Sequence, residues 1–220
     1  MTDVTLQAVL LQAAGQFGLT LSVRQREQLE HYAELVAKWQ RITNLTAATS
    51  ALAFAREHIV DALAVVVHVA GRRVLDVGSG NGLPGMVLAV VNPALAVTLL
   101  EPRARRARFL TQVRIELGLA NVEVVSARVE RYRPAHSYDI IIAQAFGSLG
   151  ELFAATARLH QTGTQLLAMK GRLDADELAG SGITRAAISS RALAVPGFAD
   201  RHLVVIECCA APGGGPADVA

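Results

Sequence analysis

The sequence predicts an α/β fold: a doubly wound, mostly parallel β-sheet with helices on both faces, a helical segment ahead of it and an antiparallel hairpin at the end. Three observations carry this expectation. From Arg73 onward, short β-rich runs alternate with helical ones. Those runs are apolar almost throughout, as strands covered on both faces must be. The first of them, in VLDVGSGNGLPG (Val74 to Gly85), leads straight into a glycine-rich turn.

The elements follow in order. Leu29, Tyr32, Leu35, Val36, Trp39 and Ile42 recur at three- and four-residue steps, and Ser22 with Gln25 has capping-box spacing, so a helix spans Ser22 to Ile42. A second, alanine-rich helix is expected from about Ala51 to Val69, ending near Gly71, where a left-handed cap costs little. Then come RVLDV, a helix from Gly82, AVTLLE, a helix through RARRARFLTQVRIEL, VEVVSA, YDIIIAQA, a helix through ELFAATARL, and TQLLAMKG. This alternation implies right-handed βαβ units. AAISSRALAV and RHLVVIECC are separated only by Pro196 to Asp200, too short for a crossover helix, so they pair as an antiparallel hairpin. Residues 1–70 are read as a helical cap packed on the main domain, 71–210 as that domain, and the tail 211–220, APGGGPADVA, as disordered.

Composition narrows the function classes. At 52% hydrophobic residues the chain has ample material for a core, yet no stretch approaches a membrane span or a cleavable signal, so a cytoplasmic location is expected. Cys208 and Cys209 are adjacent in a strand and point to opposite faces, which suits neither a disulfide framework nor a zinc site. His31, His68, His136, His160 and His202 show no ligand spacing, so no metal is expected. Net charge is only +2, but arginine gathers at Arg103, Arg105, Arg106, Arg108 and Arg114 and again at Arg128, Arg131 and Arg133. Such clustering fits either a phosphate footprint or a solvated helix face.

A glycine-rich turn after the first strand lies at the carboxyl edge of the sheet, where doubly wound folds bind ligands. Gly78 and Gly80 admit positive φ and close approach of a nucleotide-like group, and Gly82 is expected to open the next helix. The GxGxG spacing, with Leu83 and Pro84 following, departs from a dinucleotide fingerprint and weakens a nicotinamide reading. Glu101 ends the second strand where a carboxylate can accept from both ribose hydroxyls of an adenosine, the alternative being a helix-start acid beside glycines that serve only the turn. Asp76 can hold the loop by accepting its N–H groups. Val129 and Glu130, after the third strand, reach the same edge and suit an adenine slot, a surface acid being nearly as good a reading of Glu130.

AKWQRITNLT (Ala37 to Thr46), HIVDAL (His58 to Leu63), VLDVGSGNGLPG, LLE with its arginine-rich continuation to RFL, SARVE and AMKG occur in this order. Together they resemble the RsmG (GidB) family of bacterial 16S rRNA (guanine-N7)-methyltransferases, and the resemblance runs from the first helix to RHLVVIE. It implies a Rossmann-like class I S-adenosylmethionine-dependent methyltransferase fold, seven strands with six parallel and one antiparallel, and a helical N-terminus over the cleft. It implies S-adenosylmethionine as donor and, as substrate, one guanine of 16S rRNA in the small ribosomal subunit or an assembly precursor. Carried over, cofactor contacts fall on Gly78, Leu83, Val129, Glu130 and Gln144. The chain departs from the family at Gln144, where the motif has arginine before Ala-Phe, at Glu57, where arginine usually precedes HIxD, and at Ala62, where serine usually follows. Glutamine lacks the charge and planar fork of a guanidinium.

Guanine N7 offers an in-plane lone pair and no proton to remove, so no general base is expected and alignment carries the rate. Gln144, Phe146 and Asn44 are the candidates for lining the reacting centre, with core packing or capping as the alternative for Phe146 and Asn44. His58 and Asp61 share one helix face and could line the cleft or serve core hydrogen bonding. Arg103, Arg105, Arg106 and Arg108 are assigned to RNA phosphates or guanine O6, and Lys170 to RNA or to solvent. The alternatives are a catalytically weak cofactor- and RNA-binding module and a small-molecule methyltransferase. A monomer is expected.

Overall fold

A computed structural model describes residues 5–43, 45–173, 175–183 and 186–208; Asn44, Cys209 and the 211–220 tail lie outside the described residues. The chain opens with α1 (Leu6–Gln16) and α2 (Val23–Thr43). The expected capping box at α2 is formed: Ser22 Oγ accepts the Gln25 N–H at 3.2 Å, and Gln25 Oε1 accepts the Ser22 N–H at 2.8 Å. Next, α3 (Ala51–Phe54) runs through one π-helical turn, Ala55–Ile59, into α4 (Val60–Val66). This helix stops short of Val69, and Gly71 is not its left-handed cap. Gly71 has φ +142°, and a Cβ there would lie 2.7 Å from Asp139 Cβ. The glycine is needed for close approach: Asp139 Oδ2 accepts the N–H groups of Arg72 at 2.7 Å and Arg73 at 2.9 Å, which lowers the pKa of that carboxyl.

Seven strands form one sheet: β1 (Arg73–Val77), β2 (Ala96–Leu100), β3 (Val122–Val125), β4 (Ile140–Gln144), β5 (Gln165–Lys170), β6 (Ala187–Ala192) and β7 (His202–Glu207). Their order is β3-β2-β1-β4-β5-β7-β6. Pairing is parallel except at β7, which runs antiparallel to both β5 and β6. Strand order reverses between β1 and β4, so the loops leaving these two strands diverge to opposite sides of the sheet and open a crevice. The helices that follow are α5 (Gly85–Val91), α6 (Ala104–Glu116), α7 (Leu149–Thr156) and α8 (Ala175–Ala179).

The unbroken apolar strands are explained by two cores. Val74, Val97, Leu99, Ile140 and Ile142 face one apolar layer, which also holds Leu10, Leu29, Tyr32, Phe54, Leu63, Val87 and Phe109. Leu75, Val77, Leu100, Ile141 and Ala143 face the other, with Leu149, Leu152 and Val204. The N-terminal helices thus share a core with α5, α6 and the sheet. Each fully buried aliphatic side chain contributes about 1.5–3 kcal/mol, so this helical layer is held by the same burial that holds the strands. Among the described residues no helix is long and apolar enough to cross a membrane.

Replacing the cap that starts α2, Ser22→Ala, should lower unfolding free energy by about 1 kcal/mol. Urea unfolding followed by circular dichroism measures it; an unchanged midpoint would mean the reciprocal cap contributes nothing.

Candidate functional site

β1 delivers the chain to the crevice, and the glycines then let it fold back on itself. The N–H groups of Gly78 and Ser79 both donate to Leu100 O, at 2.8 and 3.2 Å, which ties the loop to the end of β2. Gly78, Gly80 and Gly82 have φ of +73°, +57° and +105°, values that a side chain would strain. Helix α5 begins at Gly85, not at Gly82 as the spacing predicts. The reason is local: Gly82 lies outside helical φ, and its N–H closes a tight turn onto Ser79 O at 2.6 Å.

Asp76, fully buried at the end of β1, explains where α5 starts. Its Oδ2 accepts the Gly85 N–H at 2.9 Å, so the first amide of the helix is capped from the strand and not open to the cleft. Contact is so close that a Cβ on Gly85 would lie 2.3 Å from Leu99 Cδ2 and 2.6 Å from Asp76 Oδ2. Burial pushes the Asp76 pKa up to about 8 despite the Gly85 hydrogen bond, so at neutral pH the carboxyl is mostly protonated. The expectation that Asp76 holds the loop is met in this form.

Glu101 is buried directly beyond β2, and it too holds main chain: Oε2 accepts the Gly80 N–H at 2.9 Å and Oε1 the Arg103 N–H at 2.8 Å. Each carboxylate oxygen keeps a second lone pair. Beside it, Val77, Gly78, Leu100, Pro102, Val129 and Phe146 border a cavity of about 140 Å³ that Glu130 also lines. Val129 begins a short 3-10 turn and is buried, whereas Glu130 is exposed. A Cβ on Gly78 would point at Phe146, 3.7 Å from Cδ2. Four residues singled out from the sequence, Gly78, Val129, Glu130 and Phe146, therefore surround one slot.

Gln144 ends β4 and faces a second cavity, of about 210 Å³, across Ala145 from that slot. Ala145 has φ +55°, a left-handed conformation that costs a non-glycine residue roughly 1 kcal/mol or more. Gln144 Nε2 donates to Asp61 Oδ2 at 3.1 Å, and Arg201 Nε lies 3.3 Å from Asp61 Oδ1. Burial raises the pKa of Asp61, and the Arg201 charge opposes the rise. Nothing in the sequence pairs Arg201 with Asp61; only the sheet order brings the start of β7 to this helix. His58, on the same helix as Asp61, instead shares a hydrogen bond with Thr46 Oγ1 at 2.9 Å, and burial lowers its pKa.

The cationic residues divide. Arg103, Arg105 and Arg108 are exposed on α6 and its approach, and Arg106 is half-buried, its Nη1 3.7 Å from where a Cβ on Gly80 would be. Lys170, read from the sequence as meeting RNA or solvent, pairs through its Nζ with Glu177 at 2.6 Å and donates to Gly147 O, leaving its side chain mostly buried. Leu83 is buried in the turn before Pro84. Among the described residues, no group of His, Cys, Asp or Glu could hold a metal ion.

The slot fits an adenosyl group. Gly78 leaves the slot open where a Cβ would face Phe146, the Glu101 carboxylate between the lining residues Leu100 and Pro102 has lone pairs to spare, and the slot walls are largely apolar.

Known proteins resemble this chain in sequence and in fold. A family described as rRNA small subunit methyltransferase G matches residues 25–204. A protein of Nitrosococcus oceani named ribosomal RNA small subunit methyltransferase G is 43% identical over 191 residues, covering 86% of this chain and 89% of the relative. One of the same name from Aromatoleum aromaticum is 42% identical over 206 residues, 91% of this chain and 98% of the relative. Among solved structures, a predicted O-methyltransferase from Agrobacterium tumefaciens superposes with a TM-score of 0.56 at 20% identity, covering 73% of this chain and 83% of that one. The S-adenosylmethionine-dependent methyltransferase SibL gives 0.55 at 15% identity over 93% of this chain and 74% of its own. At such identities these two establish the fold, a class I methyltransferase sheet.

Asp76 makes a prediction about pH. Its folded pKa of about 8 lies above the ordinary carboxyl value of 3.8, so between these values the native state holds a proton that the unfolded chain releases. The stabilisation is complete below the lower value and is lost as pH rises through the upper one, with a slope approaching about 1.4 kcal/mol per pH unit. Asp76→Asn, which keeps an acceptor for Gly85, should flatten the fall in stability between about pH 5 and pH 8 relative to wild type. Parallel pH profiles of the two proteins in urea unfolding would refute a raised Asp76 pKa.

Proposed function

The chain belongs to the rRNA small subunit methyltransferase G family, and on that premise we propose that it transfers a methyl group from S-adenosylmethionine to N7 of a guanine in 16S rRNA. The observation that carries the reading is the buried Glu101 carboxylate beside the glycine main chain and the apolar slot. Glu101 accepts the ribose hydroxyls, Val129 and Phe146 flank the adenine, Glu130 meets its edge, and the Gly78–Leu83 turn admits the amino-acid tail. The small ribosomal subunit, or a precursor of it, is the substrate particle, and the protein acts as a monomer in the cytoplasm.

Bound S-adenosylmethionine supplies an electrophilic methyl group. The protein's part is placement. N7 needs no deprotonation, so the residues at the end of β4 have to hold the base in line with the methyl group and exclude water, an alignment that can be worth about 7 kcal/mol or more. Gln144, Ala145 and Phe146 lie between the two cavities and are the side chains best placed to meet the base. N7 methylation leaves positive charge on the ring. The carboxylate of Asp61, behind Gln144, is an acceptor on the correct side for that charge, and Arg201 holds it in place. The exposed Arg103, Arg105 and Arg108 are available to phosphates; Lys170, already paired with Glu177, is a weaker candidate.

Two measurements check this reading. Glu101→Gln should weaken S-adenosylmethionine binding about tenfold or more in calorimetry, because charge-assisted hydrogen bonds to the ribose are lost; unchanged affinity would remove the ribose assignment. Incubating unmethylated small subunits with the protein and donor should produce N7-methylguanine in 16S rRNA by mass analysis, with affinity for the particle falling steeply as salt rises. Donor binding without new N7-methylguanine would contradict the proposed activity.

A further inference from the structure

Tyr32 sits in the middle of α2, far in sequence from the glycine loop, yet its phenol reaches that loop. The side chain has no exposed surface, and its ring packs edge-on against Phe54 at 5.6 Å between centroids. Its Oη–H donates to the main-chain carbonyl of Asn81 at 2.8 Å. Burial raises the phenol pKa well above its usual value, with the nearby Asp76 adding to the rise, so the group remains a donor at all working pH values.

The surroundings make this bond more than a packing detail. A Cβ on Gly82 would lie 2.8 Å from Met86 Cγ and 3.0 Å from both Leu110 Cδ2 and Tyr32 Oη, so the turn is pressed against an otherwise apolar wall. In that wall the phenol is the group that meets the half-buried Asn81 carbonyl. The carbonyl belongs to the rigid Asn81–Gly82 peptide plane. Fixing it sets the direction of the chain between Gly80, held by Glu101, and Gly85, held by Asp76. Besides the Leu100 O contacts that tie Gly78 and Ser79 to β2, side chains hold the loop at three points: Glu101 and Asp76 from the sheet edge and Tyr32 from the N-terminal helical layer.

We propose that Tyr32 is a positioning residue for the methyl donor: through the Asn81 carbonyl it holds the loop in its binding shape, which makes the N-terminal helical layer part of the donor site. This rests on the assignment of that site to S-adenosylmethionine. The phenol does not touch the donor; it lowers the reorganisation that binding would otherwise require.

The test is Tyr32→Phe, which keeps the ring against Phe54 and deletes only the donor. Calorimetry with S-adenosylmethionine should show affinity reduced about tenfold. In steady-state assays KM for the donor should rise while kcat at saturating donor and KM for the ribosomal particle stay near wild type. Hydrogen exchange of the ligand-free variant should speed up in the 78–85 loop. Ser22→Ala, which weakens α2 at its far end, serves as a control for lost stability and should bind the donor as wild type does. If Tyr32→Phe binds the donor as tightly as wild type, or loses no more affinity than Ser22→Ala, the positioning role is overturned while the site assignment stands. If wild type fails to bind S-adenosylmethionine, the site assignment itself falls. Should Tyr32→Phe not fold, wild type decides: donor binding should slow exchange around Tyr32 in α2 as well as in the loop, and protection confined to the loop would overturn the proposal.

Discussion

One buried hydrogen bond sets the geometry on which the rest of this site depends: the Asp76 carboxyl receiving the first amide of α5. To make it, the backbone at Gly85 must approach β2 and Asp76 so closely that no side chain fits there. The chain must then travel from the end of β1 to the start of α5 in a short, tightly folded loop, and only glycine tolerates the conformations that this requires. A bare stretch of main chain at the carboxyl edge of the sheet is the result. The buried carboxyl is tolerated because protonation removes its charge.

Around this loop the fold assembles groups from distant parts of the chain. β2 contributes Glu101, the turn after β3 contributes Val129 and Glu130, and β4 contributes Gln144 and Phe146. The helical layer adds Asp61 from the far side and β7 adds Arg201. Ala145, whose left-handed backbone turns the chain, stands between Gln144 at the second cavity and Phe146 at the slot. In the proposed reaction the donor lies on one side of that turn and the acceptor base on the other.

Much of this was legible in the sequence, for reasons that are local. Apolar strands alternate their side chains between two cores, so a sheet covered on both faces is written in runs such as YDIIIAQA. Ser22 and Gln25 lie within one helical turn of each other, and their reciprocal cap could be read from spacing. Glu101 directly follows β2, the place the strand pattern gives it. What could not be read depends on separations that the sequence does not encode. The start of α5 moved from Gly82 to Gly85 because Gly82 turns outside helical φ and the Asp76 carboxyl of β1 claims the Gly85 amide. Gly71 answers to Asp139, Lys170 to Glu177 and Asp61 to Arg201, each partner brought near by tertiary structure. Tyr32 read as an ordinary helix-core residue, which it is; its hydroxyl contact with Asn81 has no sequence signature.

In the proposed site an adenosine lies across the β1–β2 edge with its sugar on Glu101 and its base between Val129 and Phe146. A crystal structure of the protein with S-adenosylmethionine tests it most directly. The account predicts both ribose hydroxyls within hydrogen-bonding distance of the Glu101 carboxylate and the methyl group directed toward Gln144 and Phe146. Density for the ligand in another cavity, or a ribose turned away from Glu101, would contradict it.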